Sequence, residues 1–68
     1  MNSDVLAIIT TACNDYKRLT CEKVNPAPAT LQGIDEWVIA RLENLGYQWA
    51  RHTAVFVVVE NYYNRFIK

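Results

Sequence analysis

Apolar residues return at helical intervals in three segments of this chain, with two clear interruptions between them. In the first segment, from about 3 to 20, Val5, Ile9, Ala12, Tyr16 and Leu19 share one helical face. Asp15 and Arg18 fall off that stripe. Ser3 is expected to cap this helix, with Asp4 suited to the positive end of its dipole. The run Asn25-Pro26-Ala27-Pro28-Ala29 then ends any helix and holds the chain extended. A second stripe, Leu31, Ile34, Val38, Leu42 and Leu45, begins after Thr30. Gly46 follows it, where a left-handed C-cap is expected.

The third segment, about 48 to 67, contains Ala54-Val55-Phe56-Val57-Val58-Val59, a composition that also suits a strand. Its flanks favour a helix. No Gly or Pro follows Gly46, and Trp49, Phe56, Val59, Tyr63, Phe66 and Ile67 fall on one helical face. The pattern therefore predicts an all-α fold, a compact three-helix domain spanning 1–68. Its helices are expected at about 3–20, 31–45 and 48–67, with the long C-terminal helix most buried.

A helix over the third segment is apolar nearly all the way round, more than two amphipathic neighbours readily cover. If Phe56 faces the core, then Arg51, Val55, Val58, Tyr62 and Arg65 project from the other side as a short seam. Tyr and Arg are frequent interface hot spots. This stripe is the expected protein-binding face, for a partner protein or for a homodimer. Trp37, Arg41 and Asn44 form a smaller polar-aromatic strip on the second helix, a possible secondary contact.

Composition narrows the function classes. Lys plus Arg and Asp plus Glu number seven each, so the formal net charge is zero. That disfavours a strong electrostatic nucleic-acid binder or a protein drawn to anionic membranes. No run approaches the roughly 20 apolar residues of a membrane span. The apolar N-terminal stretch lacks the positive n-region of a signal peptide. Cys13 and Cys21, roughly 12 Å apart along one helix, are too distant for a disulfide and are read as reduced thiols of a cytoplasmic protein.

Candidate chemistry is sparse. His52 has no nucleophile or orienting carboxylate at neighbouring positions, so a packed or capping role is expected. The two cysteines and one histidine are too scattered for a zinc site. Asp35 and Glu36 point about 100° apart on a helix and favour its N-terminus rather than forming a catalytic pair. No catalytic residue, cofactor, metal or small-molecule substrate is therefore expected. The reading is a non-enzymatic protein–protein interaction module, a small regulator or inhibitor that docks on a macromolecular partner and can self-associate. The alternative is a helix-turn-helix-like DNA-binding regulator using Gln48, Arg51 and His52 at the start of the third helix. Leu42, where that motif needs a small residue, and His52, where it needs an aliphatic one, fit it poorly.

Overall fold

A computed structural model describes residues 3–22 and 30–68, with the side chains of residues 21 and 22 excepted. Its elements are α1 (Ser3–Glu22), α2 (Leu31–Asn44) and α3 (Thr53–Phe66). The chain is all-α, and the valine-rich run lies inside α3 as helix rather than strand. The Pro26–Pro28 break lies outside the described residues.

The ends of α2 are fixed by local chemistry. Thr30, in extended conformation, caps the helix, and its Oγ1 accepts from the Gly33 N–H at 3.0 Å. At the other end Gly46 takes φ +93°, a conformation open to glycine at little cost. The Gly46 N–H then donates to Glu43 O and the Tyr47 N–H to Leu42 O, each at 3.0 Å. That pair of bonds is the Schellman motif, and it ties down carbonyls the helix end leaves unpaired. Ser3 is itself helical, so it does not serve as the cap expected of it.

The helices close around one core. Val5, Ile9, Ala12 and Cys13 of α1 meet Ile34, Val38, Ile39 and Leu42 of α2. Val55, Val59 and Tyr62 complete it from α3, with Ala50 from the connecting turn. Tyr16 packs near Gly33, while Ala7 and Ile8 sit by Leu45, so α1 and α2 run antiparallel. Tyr62 reaches Asn14 and Phe66 lies under Lys17, so α3 runs in the direction of α1 there.

Two expectations for α3 need correcting. It begins at Thr53, not near 48, and its 14 residues fall short of the 20 of α1, so it is not the longest helix. The cause is a cap. His52 adopts an extended conformation and its Nδ1 accepts from the Ala54 N–H at 3.1 Å. Residues 48–51 form turns before it, closed by the His52 N–H to Trp49 O at 2.9 Å.

Candidate functional site

The face of α3 that points inward differs from expectation. Val55 is 1 % exposed, and with Val59 and Tyr62 it forms the i, i+4, i+7 stripe that packs on α1 and α2. Tyr62 can be buried because its hydroxyl donates to Asn14 Oδ1 at 2.6 Å. Of the stripe expected to bind protein, then, Val55 and Tyr62 belong to the core and Val58 is half-buried. Only Arg51 and Arg65 are fully at the surface. Arg51 reaches Glu36 at 3.5 Å, an exposed pair worth little. Arg65 lies over the Phe66 ring at 5.3 Å.

With the helix turned this way, Phe56 is 37 % and Val57 48 % exposed. Trp49, also exposed, stands in the turn before α3 and packs on Tyr47 with ring centroids 5.0 Å apart. These three residues make the apolar surface the reading of the third segment assigned to the core or to neither face. The surplus itself was visible in the sequence. Its phase was not, because both sides of α3 carry apolar side chains.

The smaller strip on α2 also takes a different form. Arg41 pairs with Asp15 at 3.3 Å rather than stacking on Trp37, and Asn44 is exposed. Trp37 instead meets Tyr16 edge-on at 5.9 Å. Its Nε1 is buried without a hydrogen-bond partner, as is Asp35 Oδ1. Burial raises the Asp35 carboxyl above its ordinary value, the Glu36 charge adds to this, and Arg51 opposes it.

The residues with chemical potential are held in structural roles. Cys13 is buried, and burial followed by the Asp35 charge pushes its thiol up to about 11, so thiolate is scarce at neutral pH. The Cys21 side chain lies outside the described residues. His52 is exposed rather than packed, and of the two roles expected of it takes the cap, its Nδ1 accepting at the start of α3. Gln48, Arg51 and His52 all precede α3, so they are not on the helix that a helix-turn-helix would place in a groove. Among the described residues no three His, Cys, Asp or Glu side chains gather where a metal could bind, and no helix is long and apolar enough to cross a membrane.

These features define a small three-helix protein with exposed apolar side chains at Trp49, Phe56 and Val57 around the start of α3 and others at Leu6, Leu19, Leu45 and Phe66. Compared with protein-family models, curated proteins and solved structures, the chain matches none.

Proposed function

We propose that this chain is a non-enzymatic protein-interaction module, a small cytoplasmic regulator or inhibitor that docks on a macromolecular partner and can self-associate. The observation that carries the reading is the exposure of Trp49, Phe56 and Val57, none of which belongs to the core cluster or to the partly buried residues packed against it. Fully burying such a side chain gains about 1.5–3 kcal/mol, so completing the burial of three half-exposed ones offers roughly 3 kcal/mol. That corresponds to about a hundredfold in affinity. Tryptophan is also among the side chains most often found as interface anchors. The balanced charge supports a protein partner over a nucleic acid or an anionic membrane.

Affinity capture from a lysate of the source organism tests the reading, with wild type and Val57→Asp run side by side. Wild type should retain a protein that Val57→Asp loses, and both should give the same circular dichroism because Val57 is exposed. Equal capture by the two, capture of nothing, or substrate turnover that depends on His52 would contradict it.

A further inference from the structure

At one level of α1 stands an exposed aromatic ring flanked by cations, and at another an open groove one helical turn from a carboxylate. Near its C-terminal end, Phe66 is 49 % exposed, with Lys17 Nζ 5.7 Å and the Arg65 guanidinium 5.3 Å from its ring centroid. Among the described cations, Arg18, Arg41 and Arg51 each meet a carboxylate, whereas Lys17, Arg65 and Lys68 meet none. Arg65 in the last turn of α3 also offsets that helix's dipole, and Phe66 packs on the Tyr62 ring at 4.8 Å, which still leaves half of the phenyl ring exposed beside the two cations.

Toward the other end, α1 and α2 bound an open groove of about 220 Å³ lined by Ala7, Ile8, Thr11, Arg41 and Leu45. Arg41, its one charged lining residue, is already held by Asp15, which Arg18 also contacts. Asp4 precedes Ala7 and Ile8 by one helical turn and so shares their face of α1. No ion pair engages Asp4 among the described residues. An aliphatic cavity of about 150 Å³ accepts benzene, so a groove of this size has room for a phenyl ring.

We infer that the groove receives Phe66 from a second copy of this chain, bringing Lys17 and Arg65 of that copy to Asp4. Phe66 cannot fill its own groove. Its neighbour Lys17 lies roughly 14 Å along α1 from Ala7 and Ile8, at about 1.5 Å per residue. Knob and groove are different surfaces, so the contact is head-to-tail and leaves one of each free to propagate. It uses neither Trp49, Phe56 nor Val57, so it stands or falls apart from the docking proposed above.

The test is complementation between two variants, read by sedimentation velocity. Phe66→Ala removes the knob and keeps the groove, while Ala7→Arg fills the groove and keeps the knob. Both sites are exposed, and circular dichroism checks that each variant folds; Phe66→Gln and Thr11→Arg replace either one that does not. Wild type should associate as concentration rises, less so in high salt. Each variant alone should sediment as a monomer, and an equimolar mixture should recover a complex that stops at two chains. A wild-type monomer at millimolar concentration, association that survives either substitution, or a mixture that stays monomeric would overturn the inference.

Discussion

Gly33 sets two opposed effects against each other, and their magnitudes predict which wins. It lies inside α2, where alanine is preferred over glycine by about 0.8–1.0 kcal/mol. Propensity alone therefore says that Gly33→Ala stabilises. A Cβ built at Gly33, however, falls 2.5 Å from the Tyr16 hydroxyl oxygen and 2.9 Å from Thr30 Oγ1. Comfortable contact is about 3.5–4.0 Å, so Tyr16 has to move by roughly 1 Å. Its ring is not free to do so, since it packs edge-on against Trp37, a contact worth about 0.5–1.5 kcal/mol. The other close atom is the oxygen that caps α2, worth about 1 kcal/mol. Overpacking of this kind costs typically about 1–3 kcal/mol. Against the propensity gain, the expected net loss is about 1 kcal/mol, a fall in Tm of roughly 4–8 °C for a domain of this size. Thermal and urea unfolding followed by circular dichroism measure it. Tyr16→Phe removes the nearer obstructing atom, so Gly33→Ala should cost less in that background, as a double-mutant cycle reports. A Gly33→Ala protein that melts above wild type would refute the reasoning, as would a cycle showing no coupling to Tyr16.

The shifted phase of α3 makes a paired prediction. Val55→Ala should cost about 2 kcal/mol, from two lost methyl groups plus a partly relaxed cavity less the gain in helix propensity, whereas Val57→Ala should fall within about 0.5 kcal/mol of wild type. Urea midpoints decide, and equal costs at the two positions would contradict the burial of Val55 and the exposure of Val57. Asp35 predicts a pH dependence. Its carboxyl is raised above the ordinary 3.8 by burial, so the folded state binds its proton more tightly than the unfolded state. Its contribution to stability is greatest below 3.8 and declines as pH rises through the folded value. Asp35→Asn should then gain stability over wild type at neutral pH and lose that gain in acid; a variant less stable at neutral pH would contradict it.

Much of the scaffold was legible in the sequence because its signals are local. Thr30 and Gly46 are punctuation that acts within a few residues, and both ends of α2 fall where they stand. Of the stripe expected on α1, Val5, Ile9 and Ala12 are buried as their spacing required, Tyr16 is half-buried, and Leu19 is exposed. A capping role was among those expected for His52, but it did not mark where α3 starts, because histidine is not a common N-cap type. The phase of α3 was hidden for a different reason. Helical spacing identifies faces but does not choose between two apolar ones. On the face that is buried, Tyr62 meets Asn14, a partner on another helix that no local pattern contains. Turning the helix moved Val55 and Tyr62 from candidate surface to core and Phe56 out of it, while Val59 stayed in the core as expected.

The account depends above all on α3 offering Phe56 and Val57 to a partner while Val55 and Val59 stay inside. Methyl NMR with a soluble paramagnetic agent measures this directly, because relaxation grows with a methyl group's access to solvent. The Val57 methyls should relax strongly, with Val55 and Val59 close to the baseline set by Val38 in the core. Enhancement at Val55 equal to that at Val57 would contradict the account.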